Sequence, residues 1–122
     1  MRNLASLWPN YHMAGAERLI LADIVESRAA RESYRAALPN ADLTIVRLQA
    51  SLYTLQQRLE RRESGASLAW HQQRAAELAL LMERTAVEDL LVDTENQAVH
   101  DIARTILGRI GWGGLDAATA TT

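Results

Sequence analysis

Three short apolar segments, RLILADIV at 18–25, DLTIVRL at 42–48 and EDLLV at 88–92, stand between longer stretches whose apolar residues recur at helical spacing. The first is nearly continuous in Leu, Ile and Val, as expected of a strand covered on both faces. The second is rich in β-branched residues, which favour a pleated surface. Strands alternating with amphipathic helices call for parallel pairing through right-handed crossovers. The expected fold is therefore α/β, with three parallel strands and flanking helices in one domain over 1–112. A disordered tail of small and polar residues is expected over 113–122.

Local signals punctuate the helices. A first helix over 3–14 would carry Leu4, Leu7, Trp8, Tyr11 and Met13 on one face, with Pro9 as a kink or a new first turn and Gly15 as its end. Ser27 is placed to cap a helix over 28–37, which Leu38-Pro39-Asn40 stops. Ser51 is placed to cap a helix on Leu52, Leu55 and Leu59 that runs to about residue 63, where Ser64-Gly65 breaks it. A helix over 67–84 follows, with Leu68, Ala75, Leu78, Leu81 and Met82 inward. The last covers 97–109 on Val99, Ile102, Ala103, Ile106 and Leu107. Ligands of parallel sheets lie beyond the carboxyl ends of the strands. Glu26-Ser27, Gln49-Ala50 and Asp93-Thr94 thus mark the functional rim.

Composition narrows the chemistry. All 13 basic residues are arginine, against 15 acidic ones, for a net charge of −2. No overall basic field exists to hold a nucleic-acid backbone. The chain has no cysteine, so disulfides and thiolate ligands are excluded. His12, His71 and His100 match no metal-ligand spacing, so no metal site is expected. No apolar run approaches the length of a membrane span, and Met1-Arg2-Asn3-Leu4 does not begin a signal peptide. A cytoplasmic protein without membrane or nucleic-acid partners is the expectation. With no lysine, the phosphate loop G-x-x-x-x-G-K-[ST] is absent as well.

The segment richest in possible chemistry is LQQRLERRE at 55–63, with Arg74 on the next helix. Arg58, Arg61 and Arg62 fall on neighbouring turns, so their guanidinium forks can converge on phosphate oxygens. The plainer reading is a solvated face laced by Glu60 and Glu63. Asp23, inside the first apolar run, reads as a structural acid or as a group behind a magnesium ion. Ser27 and Ser51 suit capping better than nucleophilic catalysis. Trp8, Trp70 and Trp112 read as packing, Trp112 at the end of the last helix.

Several stretches together resemble the C-terminal half of P-loop small-molecule kinases, the nucleotide-kinase-like group that includes shikimate, gluconate and adenylylsulfate kinases. They are Asn3-Leu4, Leu7-Trp8, Tyr11 and Gly15 to Leu21; then Arg47-Leu48, Leu55, Arg58-Leu59 and Arg62-Glu63; then Val92-Asp93-Thr94. The likeness spans about residues 3–112. It implies that Arg58, Arg61 and Arg62 open a lid over ATP phosphates, Arg58 and Arg62 acting in catalysis, with Arg74 on the returning arm. It implies that Asp93 and Thr94 border the adenine and that Glu26 and Ser27 edge the acceptor pocket, with ATP and Mg2+ as cofactors. The first strand, phosphate loop and following helix of such kinases would precede Met1. In the family's strand order, 2-3-1-4-5, this chain would supply the equivalents of 3, 4 and 5, with the absent first strand between 18–25 and 42–48. That gap would be closed either by direct pairing of those two strands or by a strand from another chain, making an oligomer. Two functions follow. One is the lid and acceptor-site half of an ATP-dependent phosphotransferase, inactive alone and completed by a missing N-terminal part. The other is a non-catalytic, truncated or degenerate module that pairs with itself or with a partner chain.

Overall fold

The computed structural model describes residues 2–112, so the tail expected at 113–122 lies outside it. The described residues form a mixed α/β structure. Helices α1 (Arg2–Met13) and α2 (Arg28–Ala37) are followed by strand β1 (Val46–Gln49). Helices α3 (Leu52–Arg62) and α4 (Gly65–Thr85), strand β2 (Leu90–Asp93) and helix α5 (Val99–Arg109) complete the order. The chain divides into two compact units, residues 1–43 with 81–87 and residues 44–80 with 88–122.

In the first unit, α1 runs through Pro9 without a break, Asn10 Nδ2 donating to the Ser6 carbonyl at 3.4 Å. A turn through Ala14 and Gly15 follows the helix, and the Gly15 φ of 99° suits a residue without a Cβ. The expected first strand, 18–25, joins no sheet, and residues 16–26 form no regular element. Its apolar side chains are correspondingly uncovered: Ile20 is 77% exposed and Ile24 50%. Asp23 is not a buried strand acid but an exposed carboxylate, which accepts from the Tyr34 hydroxyl and from the Ile24 N–H. Ser27 caps α2 as expected, its Oγ accepting from the Ala30 N–H at 3.1 Å. The core of this unit is Tyr34, Ala37, Leu38 and Val87. Arg31 spans the unit by donating from Nη1 to the Val87 carbonyl at 2.7 Å.

The second unit is built on β1 and β2, paired in parallel with Val46 opposite Leu90 and Gln49 opposite Asp93. Both strands are shorter than their apolar runs, and Asp89 explains the start. Its carboxylate accepts the Ile45 N–H at 2.8 Å, while the amides of Asp89 and Leu90 both donate to the Ile45 carbonyl. That closed ring fixes the first rung of the ladder. The flanking Glu88 reaches Arg47 at 3.2 Å, with both side chains only about a tenth exposed. Val92 is the most buried hydrophobic residue among the described residues of the unit. Ser51 caps α3 through the Thr54 N–H at 3.2 Å. Gly65, at φ 67°, makes the break between α3 and α4. At the end of α5 the Trp112 N–H folds back onto the Leu107 carbonyl at 2.8 Å.

The two edges of this sheet differ. Leu90 and Thr94 donate their N–H groups to Ile45 and Gln49. In a parallel ladder that alternation turns Leu91 and Asp93 to the outer edge of β2. Both of their carbonyls are taken by side chains, Leu91 by Arg109 Nη1 at 3.3 Å and Asp93 by Gln97 Nε2 at 2.7 Å. The same alternation turns Val46 and Leu48 to the outer edge of β1. Among the described residues their backbone groups have no partner.

Candidate functional site

The carboxyl ends of β1 and β2 carry the second unit's densest set of polar contacts. Thr94, 5% exposed, follows β2 and ties it to β1, donating from both N–H and Oγ1 to the Gln49 carbonyl at 2.7 and 2.9 Å. Arg58, from the middle of α3, meets Thr94 with two nitrogens: Nη1 lies 3.2 Å from Oγ1 and Nη2 3.2 Å from the carbonyl. Two residues assigned to nucleotide contact are thus brought together at the rim. They hold each other. A guanidinium has five N–H groups, so Arg58 keeps donors beyond the two that Thr94 takes.

Glu95 completes the rim. Its carboxylate accepts from the Ser51 N–H at 2.7 Å, from the Ser51 hydroxyl at 3.3 Å and from the Thr54 hydroxyl. The Thr54 hydroxyl above all, then the Ser51 N–H, with Arg58 nearby, hold its carboxyl below the usual glutamate range. An ionised acid therefore sits against the first turn of α3, where a helix favours negative charge. Sequence reasoning missed Glu95. Its one signal is an acid directly after Asp93-Thr94, a turn whose partner lies 41 residues back. Asp93 serves the same turn, accepting the Glu95 N–H at 2.9 Å on its carboxylate.

The other arginines do not join this cluster. Arg61 and Arg62 stand exposed in the last turn of α3, and among the described residues neither has a hydrogen-bond or ion-pair partner. Arg74, on α4, pairs with Glu77 at 3.5 Å. Nor does Glu63 lace the arginine face: its Oε2 lies 2.6 Å from His71 Nδ1, across the α3–α4 break. The same nitrogen is 2.9 Å from the Ser67 carbonyl, so it carries the hydrogen and leaves Nε2 as the open ring position of the neutral form. Glu26 and Ser27 belong to the first unit, where the Ser27 side chain is engaged in its cap.

The residues present do not fit a triphosphate with its metal. Among the described residues no three His, Asp or Glu side chains gather as a metal set. The rim pairs one arginine with one carboxylate, which offers an anion little net charge. Among the described residues no helix is long and apolar enough to cross a membrane. No known protein family, curated protein or solved structure matches the chain.

Proposed function

We propose that the chain is the lid and acceptor-site half of an ATP-dependent small-molecule phosphotransferase, inactive by itself. The observation that supports this reading is the joining of α3 to the carboxyl ends of two neighbouring parallel strands through Arg58 and Thr94. Strand neighbourhood and lid origin then agree with the nucleotide-kinase-like order, and the run 18–25 would be a strand of the completed sheet. Arg61 and Arg62, with no partner among the described residues, are the guanidiniums left to meet phosphate oxygens. Asp93 and Thr94 would border the base, and Glu26 with Ser27 the acceptor. ATP and Mg2+ would bind through a phosphate loop that this sequence lacks, and a cytoplasmic location goes with the reading. The reading frame upstream of Met1 tests it. An in-frame strand, G-x-x-x-x-G-K-[ST] loop and helix is expected there, whereas an in-frame stop codon directly before Met1 would sink the proposal.

The uncovered apolar surface and the open edge of β1 favour a second reading, a non-catalytic module that works by association. Leu48 is 57% exposed, Tyr53 69% and Trp70 61%, while the largest side chains of the described core are a tyrosine and a leucine.

A further inference from the structure

The chain holds two unmet requirements of matching kind. One is the outer edge of β1, where the N–H and C=O groups of Val46 and Leu48 have no partner among the described residues. The other is residues 18–25, a run of strand-forming composition that lies in no sheet. Within it, the backbone groups of residues 19–22 have no partner among the described residues either. Ile20 at 77% exposure and Leu21 at 47% stand against Leu48 at 57%. An open apolar strand edge recruits an extended segment, because each new rung satisfies a donor and an acceptor together while covering side chains. The outward carbonyls of β2 are both taken by side chains, which makes the β1 edge the more open of the two.

We propose that two copies of this chain exchange strands, residues 18–25 of each pairing with the β1 edge of the other. In the described chain residues 18–25 join no sheet, and Asp23 is held to Tyr34 on α2. A second copy can supply the pairing. Reciprocal exchange satisfies both requirements in both copies and closes at two, since each copy spends its segment and its edge on the same partner. The proposal deepens the second reading, association without catalysis; it competes with the phosphotransferase reading for residues 18–25 and the β1 edge, so its failure leaves that reading standing.

The absence of cysteine makes the test direct. Leu21→Cys and Leu48→Cys are prepared as separate variants of the full chain and mixed under mild oxidation. A disulfide needs Cα atoms within about 7 Å, so a mixed crosslinked dimer is expected in excess over either homodimer. Light scattering of the parent chain is expected to give twice the 13.6 kDa chain mass, and Leu48→Lys, on an exposed position, to weaken the dimer at least tenfold. A monomer at all concentrations without a mixed crosslink overturns the proposal. So does a Leu48→Cys homodimer as the main product, which means edge-to-edge pairing. An intramolecular disulfide in the Leu21→Cys/Leu48→Cys double variant also overturns it, because the chain then fills its own edge.

Discussion

At the scale of single residues, the ion pair between Arg47 and Glu88 carries the sharpest consequence. Both side chains are about nine-tenths covered and 3.2 Å apart, beside a two-stranded ladder whose register depends on its first rungs. Removing Glu88 takes a close countercharge from a covered guanidinium, whereas removing both with apolar replacements of similar volume can be nearly neutral. Glu88→Ala should cost about 3 kcal/mol in chemical denaturation, the low end for a covered pair. Arg47→Met with Glu88→Leu should recover most of that loss, and a double variant no better than Glu88→Ala would remove the ion pair as the cause. Glu95 gives a pH signature instead. Its carboxyl is held below the usual range by Thr54, Ser51 and Arg58, so the folded form binds its proton less readily than the unfolded chain. The linked stability is present above the ordinary glutamate value of 4.5 and is lost as pH falls through the lower folded value. Melting temperature measured from pH 7 down to pH 3 should fall more steeply for the parent chain than for Glu95→Gln, and parallel curves would contradict this.

At the scale of elements, the two serine caps provide a matched comparison. Ser27 accepts one N–H at the start of α2, whereas Ser51 accepts one at the start of α3 and also bonds Glu95 through its hydroxyl. Loss of a cap costs about 1 kcal/mol, so Ser27→Ala should lower stability by about that much. Ser51→Ala should lower it further and speed amide exchange in the first turn of α3. Equal effects of the two variants would mean that the Glu95 contact contributes nothing. Both caps were legible in the sequence, as was α2 from its first residue to its last, because a cap, a breaker and an apolar face are all local. The strands were less so. Composition placed the second from residue 42, but β1 begins at Val46, since the ladder starts where Asp89 closes on Ile45, 44 residues away. The run at 18–25 has strand composition and no strand, because a strand exists only beside a partner. The site divides in the same way. Arg58 and Thr94 could be named from motif and position, while Glu95 could not, its role being set by the packing of α3 over the loop after β2.

For the whole molecule the question is whether this chain can hold a nucleotide unaided. Triphosphates are gripped chiefly by successive backbone N–H groups of a glycine-rich loop and a lysine, and the sequence contains neither that loop nor any lysine. What it offers instead is Arg58, already bonded twice to Thr94 and facing the Glu95 charge, and the exposed guanidiniums of Arg61 and Arg62. Exposed arginines in water attract phosphate weakly and lose that attraction to salt. Calorimetry on the isolated chain should therefore give an ATP dissociation constant worse than about 0.1 mM, rising further with ionic strength. Arg62→Ala should weaken any residual binding. Arg58→Ala should weaken it too and also loosen the loop after β2, which amide exchange at Glu95 and Asn96 would report. Arg28→Ala, at the exposed start of α2 in the other unit, should change neither quantity. Micromolar affinity would mean that the rim binds phosphate by itself, and the phosphotransferase reading would then have to place the nucleotide on this chain rather than on a missing loop.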